Sequence, residues 1–152
     1  MDLDDTILDF QKAERIALSR TLRSLGIDPA EAVLSRYHEI NRGKWEQLER
    51  GELTVEQVKV QRFGQLFSEI GAGAPAEVAA ERYEDLLAIG HYFIDGAEEV
   101  LQTLSKTYRL YLASNGTTKV QQSRIASAGI AKYFSGMFLS QQIGEAKPSK
   151  AF

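Results

Sequence analysis

Three carboxylates stand together in Met1-Asp-Leu-Asp-Asp-Thr6: Asp2, Asp4 and Asp5, with the hydroxyl of Thr6 directly behind them. Crowding acids costs Coulomb energy. In an extended segment residues i and i+2 share a face, so Asp2 and Asp4 address one site together. Two hard carboxylates suit Mg2+, which takes oxygen ligands, keeps several waters and relieves the repulsion between the acids. A solvated acidic segment or a helix start fits the same residues. A second candidate is Leu110-Tyr-Leu-Ala-Ser-Asn-Gly116. It sets the hydroxyl of Ser114 and the amide of Asn115 at the carboxyl end of an apolar strand, just before a helix. Ligands of open α/β sheets bind at such ends, and a helix N-terminus offers N–H groups to phosphate. An ordinary turn with an N-cap fits as well. The third is Gly144-Glu-Ala-Lys-Pro148, where Lys147 can hold a phosphate, neutralise the acids, or belong to a plain loop.

These residues must be positioned by the elements around them. From about Phe10 to Gly90 the apolar spacing is helical. Leu18, Leu22 and Leu25 stop at Gly26, a C′ glycine by position. Asp28-Pro29 predicts an N-cap with Pro in the first turn of a helix running through Tyr37 and Trp45 towards Gly51. Thr54 and Gln57 form a capping box ahead of Val58, Phe63, Leu66, Phe67 and Ile70. After the breaker at 71–75, a further helix carries Ala79, Tyr83, Leu86 and Leu87. Beyond Phe93 the rhythm changes. Asp95-Gly96 predicts a turn, Val100, Leu101 and Leu104 a short helix, and Tyr108 to Ala113 a strand. Thr117 or Thr118 caps the next helix, which runs to about Ala128, and Gly136 to Ser140 is a second strand. Strand, helix and strand with short links predict a parallel βαβ unit. The helical stretch at about 10–93 therefore reads as an insertion in an α/β domain.

Composition narrows the function classes. The chain has 152 residues, 43% hydrophobic and 26% charged, with a net charge of −3. This gives no electrostatic argument for a nucleic acid polymer or an anionic membrane. No Cys is present, so disulfides and thiolate zinc sites are excluded, and His38 and His91 are the only imidazoles. No apolar run approaches the roughly 18 residues of a membrane span. A cytoplasmic protein is the expectation.

Acids behind the first strand position, a Ser at a later strand end and then Lys-Pro resemble the haloacid dehalogenase-like (HAD) phosphohydrolase superfamily. Its first motif, Asp-x-Asp-x-Thr, matches Asp2 to Thr6, its second Ser114 and its third Lys147. The resemblance implies a Rossmann-like core with a parallel sheet, here incomplete, and an inserted all-helical cap of the C1 type. Residues 1–10 and 94–152 would form the partial core and 11–93 the cap. Within the cap, Asn41-x-x-x-Trp45, Gly51-x-x-Thr54-x-x-Gln57 and Arg62-Phe63 look like the non-canonical pyrimidine 5′-nucleotidases, as do Ser114-Asn-Gly116 and Gln121-Gln122. Phe63 also fits the cap core, and Trp45 fits either the core or a stacking platform for a base.

The resemblance makes Asp2 the nucleophile on phosphorus, giving an aspartyl-phosphate. A carboxylate needs no base to activate it at neutral pH. Asp4 would protonate the leaving oxygen and then serve as base for the hydrolytic water, a role contributing roughly 10²–10⁴-fold. Mg2+ would be held by Asp2 and by the backbone carbonyl of Asp4. Ser114 and Lys147 would hold phosphate oxygens. Thr6, Asn115 and Gly116 are expected at the phosphate, Asn41, Trp45 and Arg62 at the base and sugar, and Asp5 as support for the loop. An acid at position 4 favours a phosphatase or a phosphomutase of the β-phosphoglucomutase type over a dehalogenase. A sugar-phosphate phosphatase and an inactive scaffold are the other readings. The expected partner is a small phosphomonoester substrate, and the expected state of the protein a monomer or homodimer. Only Met1 stands where a first strand is expected, and five residues follow Lys147, without the fourth, acidic motif. The expectation is a chain truncated at both ends and inactive alone.

Overall fold

The computed structural model describes residues 1–152. It contains α1 (Phe10–Ser24), α2 (Glu31–Glu49), α3 (Val55–Ile70), α4 (Ala76–Ala88), α5 (Ala97–Ser105), β1 (Leu110–Ser114), α6 (Thr118–Ala128), β2 (Phe134–Leu139) and α7 (Ser140–Ile143). The chain divides into two compact units, residues 15–86 and residues 1–14 with 87–152. No helix is long and apolar enough to cross a membrane.

The unit of residues 15–86 is all-helical. α1 ends where expected: the N–H of Ile27 reaches Leu22 O at 2.9 Å and that of Gly26 reaches Arg23 O at 3.1 Å, with Gly26 at φ 73°. This Schellman closure needs a left-handed residue, which glycine adopts without a Cβ penalty. α2 corrects the expected start. Its N-cap is Ala30, with no side-chain cap bond, rather than Asp28. The first helical carbonyl is that of Ala30, which accepts from the Val33 N–H at 2.9 Å and the Leu34 N–H at 3.1 Å. α3 opens on the expected capping box: Thr54 Oγ1 accepts from the Gln57 N–H, and Gln57 Oε1 accepts from the Thr54 N–H. The core of the unit is aromatic. Tyr37, Phe63 and Tyr83 are fully buried, with ring centroids 5.1–5.6 Å apart.

The other unit holds a two-stranded parallel sheet of β1 and β2, pairing Leu112 with Met137 and Ser114 with Leu139. α6 makes the crossover, completing the expected βαβ unit. β1 begins at Leu110, later than expected, because the Tyr108 N–H is spent on Leu104 O, at the end of α5. On the other edge of β1, the terminal amine of Met1 donates to Tyr111 O and the Ala113 N–H to Met1 O. The acidic segment therefore lies along β1, opposite β2. Leu3, Ile7, Leu8, Leu101, Leu110, Leu112, Ile125 and Ile130 form the core beneath it.

Candidate active site

Leu3 is fully buried, and Asp2 and Asp4 flank it. Burying the leucine turns the two acids together to the opposite face, as alternation requires. The chain then turns at Asp5, which has φ 54°, a left-handed conformation that Asp tolerates better than most residues. Asp5 Oδ1 accepts the Phe10 N–H at 2.9 Å, and Asp9 Oδ1 accepts the Lys12 N–H at 2.8 Å. Both carboxylates thus serve the N-terminus of α1, where unpaired N–H groups and the helix dipole favour negative charge. Thr6 is exposed in this turn.

Ser114 closes β1 with its side chain buried. Its Oγ accepts from the Gly116 N–H at 3.2 Å and from Gln121 Nε2 at 2.8 Å. Lys147 reaches the same end of the strand: Nζ lies 2.9 Å from Asp2 Oδ1 and donates to Ala113 O at 3.0 Å. Asn115 fixes the lysine from behind. Its Nδ2 donates to Lys147 O and its Oδ1 accepts the Lys147 N–H, both at 2.9 Å. The structure therefore brings Asp2, Asp4, Ser114, Asn115, Gly116 and Lys147 together at the carboxyl end of β1.

α6 adds two residues absent from the sequence-derived set. Gln121 Nε2 donates to Asp4 Oδ2 at 2.6 Å. Arg124 Nη1 pairs with Asp4 Oδ1 and donates to Gln121 Oε1 at 3.0 Å. Both side chains are buried, Arg124 completely. A signal was present in the sequence: Val120, Gln121, Arg124 and Ile125 share one helix face, and a charge on an apolar face needs a partner. Thr117 occupies the N-cap of α6 without a side-chain bond, and the Thr118 N–H is accepted by Gln141 Oε1 instead.

Asn41, Trp45 and Arg62 lie in the helical unit. Asn41 and Arg62 are buried and meet each other, Arg62 Nη1 donating to Asn41 Oδ1 at 3.0 Å. Arg62 also pairs with Glu84 and lies 4.6 Å over the Tyr83 ring. Their polar groups are engaged inside that unit. Trp45 is half-buried.

The donors at the β1 end suit a hard cation but do not form a cage. No group of three or more His, Cys, Asp or Glu side chains is arranged to hold a metal. Both Asp4 oxygens already accept from α6, while the Asp2 side chain is 47% exposed. The Asp2 carboxylate, engaged through Oδ1 by the Leu3 N–H and Lys147, still fits Mg2+, which commonly binds through one or two carboxylates, waters and substrate oxygens.

Known proteins resemble this chain in sequence and fold. The family described as haloacid dehalogenase-like hydrolase matches residues 1–152. Pyrimidine 5′-nucleotidase PynA of Streptococcus pneumoniae is 35% identical over 152 residues, covering 99% of this chain and 64% of that protein. HAD-hydrolase YfnB of Bacillus subtilis is 34% identical over 151 residues, with the same 99% and 64% coverage. The YfnB crystal structure, bound to magnesium, superposes with a TM-score of 0.94 at 35% identity, covering 99% of this chain and 67% of that one. L-2-haloacid dehalogenase of Xanthobacter autotrophicus shares the fold at a TM-score of 0.73 and 17% identity, over 99% of this chain and 59% of that one. The chain spans about 64% of the length of the curated relatives it matches. With its acidic segment, Ser114 and Lys147 assembled on one strand end and a family match from first residue to last, the chain belongs to the haloacid dehalogenase-like hydrolases.

Proposed function

We propose that the protein is a Mg2+-dependent phosphomonoesterase acting through an aspartyl-phosphate, with pyrimidine nucleoside 5′-monophosphates as substrates. The observation that carries the reading is the pairing of Asp2 with Lys147 at the carboxyl end of β1, beside Asp4. A carboxylate and a cation at one strand end give a nucleophile next to a group that attracts the phosphate it must attack. The nucleotide preference rests on the likeness to PynA.

In this reading Asp2 attacks phosphorus, and the bond to the leaving oxygen breaks as Asp4 delivers a proton to that oxygen. Asp4 then takes a proton from water, which attacks the same phosphorus and releases phosphate and the free Asp2 carboxylate. Lys147, Ser114 and the N–H groups opening α6 hold the non-bridging oxygens. Asp2 and the backbone carbonyl of Asp4 would hold Mg2+, whose charge offsets that of the transferring phosphoryl group. Trp45 is the aromatic plane offered by the helical unit for a base. Residues 11–93 act as a cap in this scheme.

Phosphate release by the chain extended to the length of its relatives, from a panel of nucleoside monophosphates and sugar phosphates, tests it, with and without Mg2+. The expected result is Mg2+-dependent release, greatest with pyrimidine monophosphates and reduced to background by Asp2→Asn. Release from sugar phosphates alone would keep the chemistry and discard the nucleotide preference. Retained activity in Asp2→Asn would overturn the mechanism, and no release from any substrate would leave a scaffold.

A further inference from the structure

We propose that Gln121 and Arg124 are positioning residues that hold the Asp4 carboxylate in the orientation from which it exchanges protons with the substrate. The inference rests on the phosphatase reading above and deepens it.

Asp4 is not left to rotate. Its Oδ2 accepts from Gln121 Nε2 at 2.6 Å and its Oδ1 is paired with Arg124 Nη1. Two donors from one helix, one on each oxygen, fix both the rotamer and the plane of the carboxylate. Each carboxylate oxygen has two lone-pair directions, so this grip leaves one on each oxygen for a proton. The donors are themselves held. Arg124 Nε donates to Gly90 O at 2.8 Å, its guanidinium lies 5.8 Å over the Phe10 ring, and Nη1 also donates to Gln121 Oε1. Gln121 Nε2 donates to Ser114 Oγ as well, tying Asp4 to the end of β1. A buried arginine serving only stability would satisfy all its N–H groups on structural partners. Here one nitrogen serves a partly buried acid at the site, while Nη2 is buried with no hydrogen-bond partner.

Gly116 gives a second, independent observation. A Cβ at that position would fall 2.3 Å from Gln121 Nε2 and 2.6 Å from its Cδ. The Gln121 amide reaches Asp4 only by passing over a residue without a side chain. A methyl group there displaces the amide while leaving every polar group in the protein intact. Gly116 has no positive φ, so the substitution acts through this contact rather than through backbone strain.

The test compares two leaving groups. Departure of a primary alkoxide from uridine 5′-monophosphate needs a proton from Asp4, whereas p-nitrophenolate, a weak base, leaves p-nitrophenyl phosphate without one. kcat/KM covers the steps up to that departure. Gln121→Ala and Gly116→Ala are each expected to lower kcat/KM on uridine 5′-monophosphate by about 10²-fold, the lower end of acid–base contributions. On p-nitrophenyl phosphate the loss is expected to stay under about tenfold. Adding Gly116→Ala to Gln121→Ala is expected to cost little more, since the methyl acts through the amide. Arg124→Lys, which retains a charged donor, is expected to keep more activity on uridine 5′-monophosphate than Arg124→Met. Melting temperatures identify variants that fold poorly, and Gly116→Ala decides the matter where Gln121→Ala melts early. Equal losses on both substrates would mean a structural role and would overturn the inference alone. Unchanged or increased rates would overturn it too, showing that the grip does not serve proton transfer. If the unsubstituted protein hydrolyses neither ester, the phosphatase reading fails and the inference falls with it.

Discussion

Asp2 and Asp4 each pair with one cation, but the two cations differ in burial. Lys147 keeps 31% of its side chain exposed, whereas Arg124 keeps none. Water can re-solvate the lysine when its partner is removed, and it cannot reach the arginine. Asp2→Ala is therefore expected to change stability by less than about 1 kcal/mol, the range of exposed pairs. Asp4→Ala leaves a buried cation short of an acceptor and is expected to cost about 1–3 kcal/mol. Denaturant unfolding of the two variants checks this, and equal costs would refute the assigned burial. The same asymmetry explains what the sequence disclosed at this scale. Asp2, Asp4, Ser114 and Lys147 sit in local patterns that mark them one by one. Gln121 and Arg124 bind Asp4 across 117 and 120 positions of chain. Their helix face called for a partner to Arg124, but only the fold turns that face towards the acidic segment and so names Asp4. Asn115 was legible as a polar residue at a strand end, but its grip on the Lys147 backbone depends on a loop whose path the sequence does not specify.

At the scale of the element, local signals and packing compete. The capping box of α3 was legible because its two bonds join residues three apart, with no help needed from the rest of the chain. Thr54→Ala removes the side-chain acceptor and is expected to cost about 1 kcal/mol. Phe63→Ala is expected to cost more, about 3–5 kcal/mol, because it empties a fully buried position among Tyr37, Phe67 and Tyr83. Thermal unfolding of the two variants compares the terms, and a larger loss from Thr54→Ala would mean that capping outweighs packing in this unit. Element existence followed from apolar periodicity, while element boundaries did not. The start of α2 moved because its first helical hydrogen bonds go to Ala30 O, and the start of β1 moved because the Tyr108 N–H found a helix carbonyl first. Both depend on where a single hydrogen bond goes, which apolar spacing does not record.

At the scale of the whole molecule, surface ion pairs make stability depend on the acidity of the medium. Arg36 holds Glu69 through a two-pronged contact, Nε to Oε2 at 2.6 Å and Nη2 to Oε1 at 2.8 Å. The hydrogen bonds from Arg36, then that from Gln65, lower the Glu69 carboxyl to about 2. Hydrogen bonds from Arg15 and Arg50 likewise hold Glu31 and Glu52 below the ordinary carboxylate value. All three acids lie within residues 15–86. A carboxyl with a depressed folded-state pKa stabilises the fold above its unfolded value and loses that contribution as pH falls through the folded one. For Glu69 the window runs from the ordinary 4.5 down to about 2. The partner arginines are raised, away from this window, and remain charged throughout it. The melting temperature is therefore expected to hold from neutral pH to about 5 and to fall towards pH 2.5. Glu69→Gln removes one titrating partner and should flatten that fall, at the cost of a lower plateau at neutral pH. Because these pairs sit at the surface, high salt should lower the plateau and shallow the acid limb together. Melting curves of the two proteins across that pH range, at low and high salt, decide it, and an acid limb unchanged by Glu69→Gln would place the titrating groups elsewhere.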